Sequence, residues 1–80
     1  MANDTDILNT LAKIVEEVAG VASAEVTAEK SFTDDLDIDS LLMVEITVTV
    51  EDRFEVQIPD ERGAELKTVG DLVGYIADHR

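Results

Sequence analysis

Apolar positions between residues 7 and 18 recur at helical spacing: Ile7, Leu8, Leu11, Ile14, Val15 and Val18 fall on one side of a 3.6-residue period. Asp4 or Thr5 stands where a cap is needed at the start, and Gly20 where a left-handed C-terminal cap belongs. The pattern predicts an amphipathic helix over 7–18. From 20 to 39 no period is sustained, and Ser, Thr, Asp and Gly interrupt the chain, which predicts a long loop. Val21, Val26, Phe32, Leu36 and Ile38 are its candidate anchors to a core. A connection of this length in a compact domain is often functional.

Residues 40–54 fit two patterns. Ile46, Val48 and Val50 alternate with Thr47 and Thr49 as in a strand, with Glu51-Asp52-Arg53 as a turn into a second strand. Read as a helix, Met43, Ile46, Val50 and Phe54 share a stripe and Asp39 becomes its cap. Pro59 holds Ile58 extended and marks a break. Asp60 then caps a short helical turn from Glu61 to Leu66, weakened by Gly63. Over 67–80, Thr68 and Asp71 form a relaxed capping box, and Val69, Leu72, Val73 and Ile76 form the inward stripe of a last helix. Three principal helices and one short one make a small antiparallel bundle, with the whole of 1–80 as one domain.

The totals narrow the functional classes. The chain has 80 residues, short enough that only about 60% of the unfolded surface is buried on folding. It holds 6 Lys and Arg against 19 Asp and Glu, a formal net charge of −13. That field repels nucleic-acid phosphates and anionic membranes and favours partners with basic surfaces. A hydrophobic content of 45% sets the chain apart from acidic disordered sequences. It has no cysteine, so disulfides, thiolate zinc sites and cysteine nucleophiles are excluded. The opening MANDTDI has neither a basic region nor a long apolar core, so no signal peptide is expected. No apolar run nears the roughly 20 residues that span a bilayer, so no membrane insertion is expected either.

Candidate chemistry concentrates in DDLDIDSLLMVEI, residues 34–46. Asp35, Asp37 and Asp39 match the opening ligands of an EF-hand calcium loop. Such a loop needs glycine at its sixth position, where Ser40 stands, and a bidentate glutamate at its twelfth, where Ile46 stands. His79 is the only histidine, and it sits near the negative end of the last helix. Nothing local supports a hydrolytic triad of Ser40 with His79. Tyr75 is expected at the core edge with its hydroxyl in water. Glu45, Glu51 and Asp52 fall on the side of the proposed helix away from Met43 and the core, as a solvated face. Ser40 itself is set apart: Asp39 serves as the cap, which leaves Ser40 in the first turn, where unpaired N–H groups favour a phosphate.

At Asp39-Ser40-Leu41 the chain resembles the acyl carrier protein family. The wider DDLDIDSLLMVEI, the later IPDE (58–61) and TVGDLVGYI (68–76) are similar to its motifs at matching distances, so the resemblance covers essentially the whole chain. It is strongest to discrete (type II) carriers of bacterial fatty acid synthesis, of the actinobacterial DLDIDSL type. The resemblance implies an all-α fold: a small four-helix bundle, three main helices plus one short, with a long loop between helices 1 and 2. Residues 40–54 are then helical.

It further implies that Ser40 receives 4′-phosphopantetheine from coenzyme A through a separate phosphopantetheinyl transferase. The chain is then no enzyme: it carries acyl groups as thioesters in the cytoplasm, as a monomer. Its implied partners are acyltransferase, ketosynthase, reductase and dehydratase enzymes with basic docking patches. Docking is implied at Asp39, Leu41, Glu45, Val48, Glu51 and Asp52, and shelter for the acyl chain near Met43, Ile46, Val50, Ile58, Leu66 and Tyr75. The alternatives are a polyketide synthase carrier, identical in chemistry, and an acidic helical adaptor or divalent-cation-responsive domain without a prosthetic group. Two positions depart from the family pattern. Asp37-Ile38 stand where many relatives have glycine-alanine, and Leu42 stands where many have an acid or a small polar residue, which removes a contact charge.

Overall fold

The computed structural model describes residues 4–79. Met1 to Asn3, on which the leader reading of MANDTDI partly rests, and Arg80 of the last segment lie outside the described residues. Four helices follow one another: α1 (Asp4–Ala19), α2 (Ser40–Phe54), α3 (Asp60–Gly63) and α4 (Val69–His79), with a 3-10 turn at Ser23–Glu25. The strand alternative for 40–54 is overturned, since Glu51 to Arg53 belong to the last turn of α2 rather than to a hairpin loop.

α1 begins earlier than its apolar period, and this corrects the expected cap. Asp4 and Thr5 are helical residues, and Asp4 and Asp6 lie in the first turn, where their charge complements the helix dipole. Ile7, Leu11, Ala12, Ile14 and Val15 are buried. The helix ends as expected: Gly20 takes φ +74 and its N–H reaches Glu16 O at 3.0 Å.

α2 forms against the intrinsic preference of its β-branched run Ile46 to Val50, each member of which costs a few tenths of a kcal/mol in helix propensity. A side-chain cap and core burial offset this. Asp39 Oδ1 accepts Leu42 N–H at 2.9 Å as the N-cap. The Thr49 hydroxyl donates to Glu45 O one turn back at 2.8 Å, so a polar side chain is satisfied inside the helix. Ile46 and Val50 are fully buried against the rest of the bundle, worth about 1.5–3 kcal/mol each.

α3 is shorter than expected. Asp60 is its first residue rather than a side-chain cap, Pro59 takes the capping position, and the helix stops at Gly63, leaving Leu66 beyond it. With only four residues and no buried side chain, α3 is held mainly by its flanking segments and by the Arg62 guanidinium over the Tyr75 ring. α4 starts with the expected reciprocal box: the Thr68 hydroxyl accepts Asp71 N–H at 3.1 Å, and Asp71 Oδ2 accepts the N–H groups of Thr68 and Lys67, each at 3.2 Å.

α1 lies centrally and packs against both α2 and α4. The long loop is pinned as predicted: Val26, Phe32, Leu36 and Ile38 are buried, and Val21 is half-buried against the core. It is also tied to the start of α4. Lys30 O and Ala28 O accept the N–H groups of Val69 and Gly70, at 2.9 and 2.8 Å, which satisfies two of the unpaired donors at that helix end. A Cβ on Gly70 would stand 3.0 Å from Ala28 O, so a larger residue would press on the carbonyl that ties the loop to α4.

Candidate functional site

The first turn of α2 borders a cavity of about 670 Å³ between α2, the 58–67 segment and the long loop. Its apolar lining comes from Phe32, Met43, Val44, Val48, Ile58, Pro59, Ala64 and Leu66. Polar residues join them, notably Ser40, Thr47, Glu51 and Lys67. Ser40 is the first residue of the helix and is exposed. The local chain puts it there: Asp37 sits in the left-handed region at φ 57, Ile38 turns inward to burial, and Asp39 caps the helix. A helix N-terminus with its free N–H groups and dipole is a setting in which a phosphate ester on that hydroxyl is stabilised. The exposed hydroxyl and the apolar hollow beside it thus fit a phosphate-linked arm with an apolar load.

Among the described residues no histidine that could activate the hydroxyl lines the cavity beside it. His79 is engaged elsewhere: its ring stacks on Tyr75 with centroids 4.0 Å apart, its Nδ1 lies 2.9 Å from Tyr75 O, and it does not line the cavity. Two aspartates of the motif, Asp35 and Asp39, have structural partners as well. Asp35 Oδ2 accepts Ser31 N–H at 2.7 Å, and Asp39 is the cap of α2. In the same loop the Glu29 carboxyl is held below the usual carboxylate range by a backbone hydrogen bond and by the Thr27 hydroxyl at 2.9 Å.

The expected shelter residues separate into two groups. Met43, Ile58 and Leu66 line the cavity. Ile46 and Val50 do not: they are sealed in the core behind it. Tyr75 does not line it either, and its hydroxyl is not in water as expected. It donates to Gln57 O at 2.6 Å while the buried ring lies 5.6 Å from the Arg62 guanidinium.

The expected docking residues separate as well. Leu41 and Val48 are 77% and 57% exposed, while Glu45 and Asp52 stand in solvent. Asp39 is exposed yet committed through one oxygen to its cap. Glu51 departs from the solvated face assigned to it. It is half-buried, lines the cavity, and its Oε2 accepts Ile58 N–H at 2.8 Å. Leu42 is half-buried against the core, so this departure from the family pattern adds packing rather than surface grease. Val44, 61% exposed, completes an apolar ridge that sequence reasoning missed. The signal was present: Leu41, Val44 and Val48 step by three and four, a second stripe beside that of Met43, Ile46 and Val50.

Comparison with known proteins agrees in kind with this geometry. Residues 9–76 match the family model described as phosphopantetheine attachment site. The acyl carrier protein of Thermobifida fusca is 58% identical over 74 residues, 92% of this chain and 94% of that one. The meromycolate extension acyl carrier protein of Mycolicibacterium aurum is 60% identical over 75 residues, 94% of this chain and 77% of that one. Among solved structures, the acyl carrier protein from Enterococcus faecalis is similar with a TM-score of 0.81 at 30% identity, covering 99% of this chain and 100% of that one.

Proposed function

The chain belongs to the acyl carrier protein family, a carrier rather than a catalyst, and on that premise we propose that Ser40 is where its 4′-phosphopantetheine is attached. One observation carries the assignment: Ser40 alone combines an exposed hydroxyl at the first turn of a long helix with a place on the wall of the apolar cavity. Bound there, the group supplies a thiol on a flexible arm that holds an acyl chain as a thioester. With His79 held at Tyr75, a separate phosphopantetheinyl transferase provides the base and metal for attachment from coenzyme A.

The chain's own residues then shelter and present the load. Met43, Val44, Ile58, Pro59 and Leu66 offer an apolar lining to the acyl chain. Leu41, Val44 and Val48 offer an apolar ridge to a partner, with Asp39, Glu45 and Asp52 beside them for basic side chains. The partners are the acyltransferase, ketosynthase, reductase and dehydratase enzymes of fatty acid synthesis, met one at a time by a cytoplasmic monomer whose 1–80 form one attachment domain. A relative named for meromycolate extension supports a role in lengthening acyl chains. No helix among the described residues is long and apolar enough to cross a membrane.

The test is intact mass after incubation with coenzyme A, magnesium and a broad-specificity phosphopantetheinyl transferase. A single phosphopantetheine addition to the wild-type chain, absent in Ser40→Ala, is expected. A folded wild-type chain that gains no mass, or a Ser40→Ala chain that still gains it, rejects the assignment.

A further inference from the structure

Glu51 lies both on the partner-facing helix and on the cavity wall, and its carboxylate already has a use. Oε2 accepts the part-buried Ile58 N–H at 2.8 Å across seven residues of chain. The backbone carbonyl of the same residue accepts the N–H groups of Glu55 and Val56. From the other side the Tyr75 hydroxyl donates to Gln57 O. Residues 56–58 are therefore held at three consecutive positions, two of them by Glu51. The short helix α3, which follows directly after Pro59, buries no side chain of its own. Its distance from α2, which sets the width of the cavity, depends on how firmly this junction is held. A hydrogen bond to an ionised carboxylate is about twice as strong as one between neutral groups, and partial burial strengthens it further.

We infer that Glu51 is a positioning residue: acting through the Ile58 amide, it clasps the α2–α3 junction and so sets how well the cavity shields an attached acyl chain. The shielding half of this inference rests on the carrier reading above; the clasp itself does not. A residue that served only as a docking charge would leave the Ile58 amide indifferent to its replacement.

Two substitutions separate charge from reach. Glu51→Gln removes the charge but keeps an acceptor at the same distance, whereas Glu51→Asp keeps the charge and withdraws it by one methylene. On the unmodified chain, hydrogen exchange at the Ile58 amide is expected to rise about tenfold in Glu51→Asp, the loss of one hydrogen bond, and by less than about threefold in Glu51→Gln. The α1 amides of Leu11 and Ile14 should not change, which distinguishes local release from global unfolding. On chains carrying an octanoyl thioester, cleavage by hydroxylamine should be faster in Glu51→Asp than in wild type, with Glu51→Gln between them. Equal Ile58 exchange in wild type and Glu51→Asp, or the reverse order of the two variants, overturns the clasp. Faster exchange without faster cleavage overturns its role in shielding. A wild-type chain that cannot be loaded overturns the carrier reading instead, while the exchange comparison still decides the clasp.

Discussion

The two halves of this bundle treat apolar side chains in opposite ways. α1, with 16 residues, and α4, with 11, each bury five residues. α2 is nearly as long as α1, at 15 residues, yet buries only Ile46 and Val50, and α3 buries none. The apolar character of α2 is not smaller; it points elsewhere. Leu41, Val44 and Val48 are largely exposed, and Val44 and Val48 line the cavity together with Met43. Leaving such groups in water forgoes roughly 25 cal/mol per Å² of burial, and a contiguous apolar ridge beside a hollow marks an interaction surface. Stability therefore resides with α1, α4 and the pinned loop, and it is on α2 and α3 that the proposed function places cargo and partners.

The largest test of this division compares two truncations. Ile14→Ala, at a fully buried position of α1, should cost about 2–5 kcal/mol, a cavity left in a dense core. Val48→Ala on the exposed ridge should stay within about 0.5 kcal/mol. Urea unfolding of both variants reads the difference directly. Similar losses in the two would mean that α2 is part of the stabilising core after all.

Backbone strain follows the same divide. Gly20 supplies the left-handed residue that ends α1, whereas Asp37 before α2 and Glu55 after it adopt φ 57 with full side chains. Asp37 bears this conformation at modest cost, since Asp is among the residues that tolerate the left-handed region best. Glu55→Gly should stabilise the chain by about 0.5–1 kcal/mol, since relief of the Cβ clash exceeds the extra entropy of glycine in the unfolded state. Asp37→Gly should gain less. A drop in melting temperature for Glu55→Gly would show that its side chain holds the end of α2 in a way the strain argument omits.

What was legible in the chain follows this asymmetry too. α1, α4 and the pinned loop were readable because one demand, burial, wrote their pattern. α2 was ambiguous because two demands share it: core positions and solvent positions are both apolar, and the consecutive β-branched residues Ile46 to Val50 imitate a strand. Spacing showed that Ile46, Val50 and Met43 face inward, but not that the first two meet packed neighbours and the third a hollow. Ser40 stood out as a candidate because a helix start, a separate cap and a long loop converge on it, and the structure keeps it at the start of α2 behind the Asp39 cap. The Glu51–Ile58 bond was not, because a side chain reaching a backbone amide seven residues away leaves no periodic trace.

The smallest expected effect concerns the charges that flank the exposed ridge. Glu45 stands in solvent, so its reversal in Glu45→Lys should leave urea unfolding within about 0.5 kcal/mol of wild type. On the proposed docking surface its contribution belongs to encounter: on a chain of net charge −13, the reversal removes one favourable charge and adds one unfavourable charge, which should slow association with a basic partner. An exposed ion pair is worth about 0–1 kcal/mol, so acyl transfer to a partner ketosynthase at limiting carrier concentration should slow by up to about fivefold at low salt. The difference should shrink as salt rises past about 0.15 M, where the screening length falls to about 8 Å. A Glu45→Lys defect that persists unchanged in high salt would point to a shape-dependent contact at that position, and transfer at the wild-type rate in low salt would remove Glu45 from the docking surface.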